Sequence, residues 1–410
     1  MVVNKLVIVM CGLPASGKST VARRLEEGLE GEGARVRVFN NGDLRRSRLG
    51  AESAMPEFYH PDNSEGRLRR EQLARINAQA AKSYLREDGD VAILDATNAG
   101  RPRRRMLEEM FAEFPMLFVE CRNDDPDILQ LAVAHKAALP EFAELSRPEA
   151  EAAFLRRLEY YRSIHDPLKE EACILRVDSV RNRVLEECLT HTIPHAVLIR
   201  DILVSDWVRG LCLARHGESE FNVAGRIGGD SPLTDKGRAQ AASLAATFRS
   251  QHVPYIFISG RMRSRRTATP LVDEHPEAQL VCLPEFDEID AGIFDGMTYE
   301  AIRRARPEEF AARAKDKYNY TYPRGEGYAS MRERVERGLR KALFLAGGRP
   351  GTLIVGHQAV NRMILSLFLF RRTEDVPYIY VPQHRWFHIV ATHRKKLIEP
   401  IGCANPKEAS

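Results

Sequence analysis

Residues 12 to 19 of this 410-residue chain read Gly-Leu-Pro-Ala-Ser-Gly-Lys-Ser, and Thr20 follows. Gly12, Leu13, Pro14, Ala15, Ser16, Gly17, Lys18 and Ser19 thus satisfy G-x-x-x-x-G-K-[ST] directly after an apolar run. Glycines at both ends let the backbone curl until successive N–H groups converge on phosphate oxygens. The helix expected to open at Lys18 adds partial positive charge from its N-terminus. Lys18 can reach the outer phosphates of a nucleotide, and the Ser19 hydroxyl can ligate Mg²⁺. The expected ligand is therefore ATP with Mg²⁺.

A second constellation lies in the other half. Leu213-Ala214-Arg215-His216-Gly217-Glu218-Ser219 closes an apolar run, and Arg-His-Gly at a strand end resembles the signature of histidine phosphatases and phosphoglycerate mutases. A neutral imidazole can attack phosphorus and carry the phosphoryl group covalently. The transferring group spreads negative charge, which calls for fixed cations such as Arg215. Ser259-Gly260-Arg261-Met262-Arg263 offers Arg263 as a second phosphate arginine, with Thr267-Ala268 following. His357, in Val355-Gly356-His357-Gln358-Ala359, is a second histidine at a strand tip. Glu288 is a candidate general acid for the leaving oxygen. Glu218 and Asp290 compete for that role, and residue type alone does not separate them.

In the first half, the run 91–95 ends in Asp95, and Thr97 and Asn98 follow. An acid at the tip of a strand parallel to the phosphate-loop strand would sit near the metal and the attacking group, so Asp95 joins Ser19 as a metal candidate. Arg45, Arg46, Arg69, Arg70, Arg101, Arg103, Arg104, Arg105, Lys136, Arg156 and Arg157 surround these elements. They form either solvated helix faces or a pocket for a second anionic substrate.

The elements that must position these residues alternate. Strand-like runs lie at 5–11, 36–39, 91–95 and 116–121, with helical periodicity at 18–30, 67–86, 103–114, 126–138 and 147–164. After a break near 202–209 the pattern restarts, with strands at 210–215, 255–259, 280–283 and 352–355 and helices at 234–250, 264–273, 328–346 and 359–370. Such alternation predicts two α/β domains with mostly parallel sheets, 1–207 and 208–410. Hydrophobic residues are 44% and charged residues 29%, as in a soluble globular chain. The net charge of +4 demands neither nucleic acid nor a membrane. No apolar stretch reaches the ~20 residues of a membrane helix, and the N-terminus runs into the phosphate loop without a cleavage site, so no signal peptide is expected. Seven cysteines without a CxxC pair suit a reducing cytoplasm.

The order of parts resembles the bifunctional 6-phosphofructo-2-kinase/fructose-2,6-bisphosphatase family over nearly the whole chain. The likeness extends to residues 39–46 (Phe-Asn-Asn-Gly-Asp-Leu-Arg-Arg), 61–66 (Pro-Asp-Asn-Ser-Glu-Gly), 95–98, 225–230 (Gly-Arg-Ile-Gly-Gly-Asp), 288–292 (Glu-Ile-Asp-Ala-Gly) and 322–326 (Tyr-Pro-Arg-Gly-Glu). It implies an N-terminal P-loop kinase and a C-terminal phosphoglycerate-mutase-like histidine phosphatase. It implies small-molecule substrates: ATP, fructose 6-phosphate and fructose 2,6-bisphosphate. By this likeness Arg45, Arg70, Thr97, Arg103, Arg157 and Tyr161 hold fructose 6-phosphate, Asp95 and Lys136 sit at the transfer site, and Asn182 lies near the adenine. In the phosphatase, His216 is the nucleophile, with Arg215, Asn222, Arg263 and His357 around the 2-phosphate. Glu288 becomes the preferred acid. Arg226, Gly229, Tyr299, Arg313, Lys317, Tyr328, Gln358 and Arg362 match positions that hold the substrate. A homodimer is also implied.

Two positions depart from the family pattern: Ser16 replaces a usual arginine, and Asn123 stands where a cysteine is frequent. The long regulatory tails of animal members are not expected. Two other readings fit parts of the pattern. One is a nucleic-acid end-healing kinase–phosphatase, motivated by the basic runs 101–105 and 261–266. The other is a fusion in which one domain only senses a ligand.

Overall fold

The run Leu6–Cys11 is apolar at every position and forms a strand, β1, buried along its whole length. Burial on both faces requires neighbours on both edges and helices above and below. The computed structural model supplies them. It describes residues 5–50, 53, 55–60, 62–369 and 371–404; Pro61 of the 61–66 motif and Phe370, expected to end a helix, lie outside the described residues. The chain divides into two compact units, Met1–Asp206 and Trp207–Ser410.

In the first unit β1 is followed by α1 (Lys18–Gly31), β2 (Val36–Asn40), α2 (Asn41–Leu49), α3 (Ser64–Arg86), β3 (Val91–Asp95), α4 (Arg101–Met110), β4 (Met116–Arg122), α5 (Pro126–Ala137), α6 (Arg147–Ser163), β5 (Cys173–Asp178), β6 (Arg183–Leu189) and α7 (Ala196–Val204). The sheet order is β2-β3-β1-β4-β5-β6. Its first five strands are parallel and β6 closes the edge antiparallel. Alternate residues of β1 feed two cores. Leu6, Ile8 and Met10 pack with Val21, Leu25 and Leu29 of α1 and Ile199 and Ile202 of α7. Val7, Val9 and Cys11 pack with Ala78, Ala81 and Leu85 of α3 and Leu107 of α4. Each such fully buried aliphatic chain contributes about 1.5–3 kcal/mol relative to exposure, so β1 is fixed firmly and its C-terminal tip is a rigid platform.

The second unit repeats the logic with β7 (Val208–Arg215), α8 (Glu220–Val223), α9 (Asp235–Phe248), β8 (Tyr255–Ile258), α10 (Met262–Glu274), β9 (Gln279–Cys282), α11 (Tyr299–Ala305), α12 (Pro307–Lys315), α13 (Tyr328–Ala346), β10 (Thr352–Gly356), α14 (Gln358–Phe368), β11 (Arg385–Ala391) and β12 (Lys396–Gly402). Its sheet order is β12-β11-β7-β10-β8-β9. Strands β7, β10, β8 and β9 are parallel, whereas β11 runs antiparallel to both β7 and β12. Arg215 and Gly356 are register partners at the tips of β7 and β10. His216 and His357 therefore leave adjacent strands side by side.

Candidate active sites

The phosphate loop lies between β1 and α1. Its Gly12, at φ 129°, has no room for a side chain, since a Cβ there would meet the Cys121 carbonyl oxygen at 2.4 Å. Gly17 (φ 79°) and Ala15 (φ 64°) are also left-handed, the conformation that turns successive N–H groups inward. Gly12 N–H donates to the Thr97 carbonyl at 3.1 Å, tying the loop to the segment after β3. Asn123 Nδ2 donates to the Ala15 carbonyl at 3.3 Å, so the departure noted at that position gives a loop contact. Lys18 folds back onto the Leu13 carbonyl at 2.6 Å and the Ser16 hydroxyl at 3.4 Å. Burial lowers its pKa to about 8, with Asp95 opposing that shift. Asp95 is itself buried at the β3 tip. Burial pushes its carboxyl up, while the Ser19 hydroxyl, Lys18 and the Asn40 amide hold it down.

In front of the loop is a cavity of about 500 Å³ lined by Pro14, Ala15, Lys18, Ser19, Arg45, Arg70, Asp95, Thr97, Arg103, Lys136, Arg157 and Tyr161, all named from the sequence. Gly12, Leu13, Ser16, Gly17 and Thr20 lie in or behind the loop and do not line it. Asn182 does not line it either; its Oδ1 accepts from Arg24 Nη1 at 2.7 Å. Arg70 donates to the Tyr160 hydroxyl at 2.9 Å and lies over the Tyr59 and Tyr160 rings, and Arg157 also lies over the Tyr59 ring. Arg103 is held by Glu71 at 2.9 Å. Burial and the neighbouring Arg157 and Arg46 lower the Lys136 pKa.

The basic cluster of the sequence splits here. Arg45, Arg46, Arg70, Arg103, Lys136 and Arg157 line the cavity. Arg104 instead lies in the protein interior, 2.6 Å from Glu171, and Arg101 pairs with Glu108, Glu170 and Glu171. Sequence reading missed Glu141. This buried carboxylate touches Arg45 and lies 3.7 Å from Arg157, and those guanidinium groups hold its pKa down against its burial.

The second site forms at the tips of β7, β10 and β8. His216 Nδ1 is 2.7 Å from its neighbour's carbonyl, Gly217 O, which fixes the ring proton on Nδ1 and leaves Nε2 as the lone-pair nitrogen. Arg263 Nε donates to that Nε2 at 3.2 Å. Burial first, then Arg263 and Arg215, push the His216 pKa well below 6.5, so the ring is neutral at pH 7. Thr267 accepts from Gly217 N–H at 3.0 Å and donates to the Arg263 carbonyl at 2.8 Å, linking nucleophile and arginine. Gly217 packs so closely on α9 that a Cβ would lie 2.4 Å from Gly237 O.

A cavity of about 440 Å³ is lined by Arg215, His216, Asn222, Arg226, Arg263, Glu288, Tyr299, Arg313, Lys317, Tyr328, Gln358 and Arg362. The two named residues outside this lining are His357 and Gly229. The His357 ring is buried 5.1 Å from that of His216. Gly229 contributes its carbonyl, 2.6 Å from Arg263 Nη1. The Glu288 carboxylate accepts from Gln358 N–H at 3.1 Å and Ala359 N–H at 3.2 Å, at the start of α14. Of its rivals, Glu218 is taken by Lys236 and Thr234, and Asp290 caps Gly292 N–H at 2.8 Å. Neither lines the cavity.

Two profiles cover these two units. Residues 1–195 match the 6-phosphofructo-2-kinase family, and residues 211–403 match the histidine phosphatase superfamily, branch 1. The mouse protein 6-phosphofructo-2-kinase/fructose-2,6-bisphosphatase 1 is 34% identical over 392 residues, covering 92% of this chain and 80% of its own length. The chain belongs to the 6-phosphofructo-2-kinase/fructose-2,6-bisphosphatase family. A family member from the frog Aquarana catesbeiana is 33% identical over 430 residues, 98% of this chain and 89% of the relative. Among solved structures, the α-ribazole phosphatase of Shigella flexneri aligns at 23% identity with a TM-score of 0.43, over 48% of this chain and 98% of that one. Among the described residues no helix is long and apolar enough to cross a membrane.

Within this member of the family, sequence reading also missed how the cations are held. Lys317 Nζ, Arg362 Nε and Arg215 Nη1 donate to the carbonyls of Pro377, Ile379 and Val381 at 3.2, 2.7 and 3.2 Å. One short segment, running from the end of a 3-10 turn at Thr373–Tyr378 to Val381, thus anchors three cations through alternate residues. Gln383 Nε2 and Ser219 N–H both donate to Asn222 Oδ1, at 2.9 and 3.1 Å, which turns the Asn222 amide N–H groups away from these partners. The signal for Gln383 was absent because its effect passes through another side chain.

Proposed function

We propose that the chain carries out both reactions named in its relatives. The first unit transfers the γ-phosphoryl group of ATP to the 2-hydroxyl of fructose 6-phosphate, and the second removes that phosphate from fructose 2,6-bisphosphate. The observation that carries this reading is the pair of strand-tip phosphate cradles, each with its chemical group at hand: Lys18 and Asp95 in one, the neutral His216 ring between two arginines in the other.

In the kinase, the phosphate loop and Lys18 take the triphosphate, while Arg45, Arg70, Arg103 and Arg157 take the sugar phosphate in the same cavity. Catalysis is mainly positioning and charge neutralisation. The 2-hydroxyl oxygen bonds to the γ-phosphorus, the bond to the β-phosphate oxygen breaks, and Asp95 is placed to receive the hydroxyl proton. Lys136 offsets charge on the passing group. The Ser19 hydroxyl and the Asp95 carboxylate are hard oxygen donors that fit Mg²⁺, which takes few protein ligands. A cation there would relieve the burial of Asp95, and Mg²⁺ supplies charge neutralisation on the outer phosphates when bound.

In the phosphatase, His216 Nε2 attacks the 2-phosphorus. The phosphorus–oxygen bond to the sugar breaks, and Glu288 gives its proton to the departing oxygen. Water then attacks the phosphohistidine, returns a proton to Glu288 and releases phosphate, leaving fructose 6-phosphate. Arg215 and Arg263 hold the phosphoryl oxygens throughout. Tyr299, Arg313, Lys317, Tyr328 and Arg362 supply the sugar and 6-phosphate contacts.

Incubation with ATP, Mg²⁺ and a panel of hexose phosphates, with products identified by NMR, tests the first reaction. The expected result is consumption of fructose 6-phosphate alone, to give its 2-phosphorylated product. For the second, ³²P from labelled product should be trapped on the wild-type chain in an acid-labile form and be absent from His216→Ala. Label persisting on the variant would refute the assignment.

A further inference from the structure

The two active-site histidines are both buried and both neutral, yet only one can serve as the nucleophile. A neutral imidazole carries one N–H and one lone pair, and the partner at one nitrogen decides the role of the other. For His216 that partner is a carbonyl, Gly217 O at 2.7 Å from Nδ1, which can only accept. For His357 it is a hydroxyl, Ser259 Oγ at 2.7 Å from Nε2. A hydroxyl can donate or accept, so its other contacts settle the direction.

Ser259 is fully buried at the end of β8. Its Oγ accepts from Arg261 N–H at 3.1 Å. Among the described residues its only other partner is His357 Nε2. If Nε2 carried the proton, Ser259 would accept twice and its own O–H would be buried without an acceptor, a costly state. The opposite direction pairs the hydroxyl: Ser259 O–H donates to Nε2, and the ring proton of His357 sits on Nδ1, the one donor then left for a ligand. That Nδ1 is buried and, among the described residues, has no partner. A bare lone pair on it would repel a phosphoryl oxygen, whereas an N–H would bind one.

We propose that Ser259 is a positioning residue that fixes His357 in the Nδ1–H tautomer, making it a neutral hydrogen-bond donor to the phosphoryl group and reserving nucleophilic attack for His216. The inference rests on the phosphatase reading above, and it assigns to Ser259 a role that nothing in the Arg-His-Gly pattern specifies. The two rings form a complementary pair. His216 is protonated on Nδ1 by a pure acceptor, with a free Nε2 lone pair. His357 is protonated on Nδ1 by a donor that blocks its Nε2 lone pair.

Two-bond ¹⁵N–¹H correlation spectra of the full chain labelled with ¹⁵N-histidine test this at neutral pH. The His357 signals are identified by their loss in His357→Gln. The expected pattern is a protonated Nδ1 and an unprotonated Nε2 for His357 in the wild type. Ser259→Ala should shift that ring towards the other tautomer and lower phosphatase kcat roughly 10–100-fold, the scale on which losing the hydrogen-bond partner behind a metal-ligating histidine acts. KM should change far less, and Ser259→Thr should restore both the spectrum and kcat. A protonated Nε2 in the wild-type ring overturns the proposal, independently of whether Ser259→Ala folds. So does a Ser259→Ala variant with unchanged kcat. Absence of the His216 phosphoenzyme would instead overturn the phosphatase reading, so the two failures are distinguishable.

Discussion

The two cradles of this chain solve the same problem, holding a phosphoryl group, with different materials. In the first unit the cradle is mostly backbone: a loop with residues 12, 15 and 17 at positive φ, beneath a lysine folded onto its own loop carbonyl. In the second it is mostly side chain: an imidazole between Arg215 and Arg263, with each arginine anchored to a carbonyl. The difference follows from what each reaction asks of the protein. A nucleotide brings its own leaving group, so the loop only has to bind and neutralise it. Hydrolysis through a covalent intermediate needs a protein nucleophile, and that nucleophile must be neutral in a cationic surrounding. Burial lowers the pKa of Lys18 only to about 8, which leaves it charged near neutrality. Burial plus two arginines take His216 far enough down to remove its charge.

Crosswise removal of the two groups is the strongest way to break this contrast. His216→Ala should lower phosphatase kcat by about 10⁴-fold or more, as loss of a covalent nucleophile does. Lys18→Ala should lower kinase kcat by roughly 10³-fold, the scale for losing a cation on transferring phosphate. Each variant should leave the other activity within about twofold of wild type, measured on the same preparation. A fall in both activities from either substitution would mean that the two cradles are not independent.

A second contrast lies within the kinase, between adjacent arginines. Arg103 lines the cavity and pairs with Glu71 there, whereas Arg104 is buried on Glu171. Removing one partner of a buried pair costs up to about 3–5 kcal/mol when the other charge is left alone; Arg101, 3.2 Å from Glu171, offsets part of that here. Arg104→Met should therefore lower the melting temperature of the first unit by many degrees, and Arg104→Met with Glu171→Leu should recover much of it. Arg103→Met should instead keep the melting temperature and raise the KM for the sugar phosphate. Equal thermal effects from the two substitutions would erase the distinction.

These arginines also mark where the sequence stops being legible. The phosphate loop, Asp95 and the Arg-His-Gly segment could be read because their chemistry is written in contiguous residues at strand ends. The long helices and parallel strands could be read because their apolar spacing is regular. The run 101–105 could not be divided into pocket and core, because facing the cavity or Glu171 depends on helix phase against a distant segment. The helix Asn41–Leu49 was missed because its sequence, NGDLRRSRL, has only two apolar residues; its start is fixed by the Asn40 side chain accepting from Asp43 N–H. The strands Arg385–Ala391 and Lys396–Gly402 were also missed. The second is an edge strand holding Pro400, a residue that weakens strand signals. With those strands unread, the segment whose carbonyls anchor Lys317, Arg362 and Arg215 could not be placed, and carbonyls leave no trace in residue type.

That carbonyl row sharpens the last comparison, between the two lysines. Burial lowers the Lys317 pKa to about 8, helped by Arg313 and Arg362. Lys18 has the same value but has Asp95 beside it, so its neighbours include an acid. For Lys317 the neighbouring charges Arg313 and Arg362 oppose protonation, and among the described residues the Pro377 carbonyl and the Tyr378 ring support it. A lowered lysine pKa means the cation is present below pH 8 and lost as pH rises through that value. One unit above, about a tenth of the free enzyme keeps the charge. Because kcat/KM reports ionisations of the free enzyme, phosphatase kcat/KM should fall by roughly threefold to tenfold between about pH 7 and pH 9. Lys317→Arg, always charged, should flatten that limb. A limb that persists unchanged in Lys317→Arg would move the titration to another group and leave Lys317 with a purely steric part in the pocket.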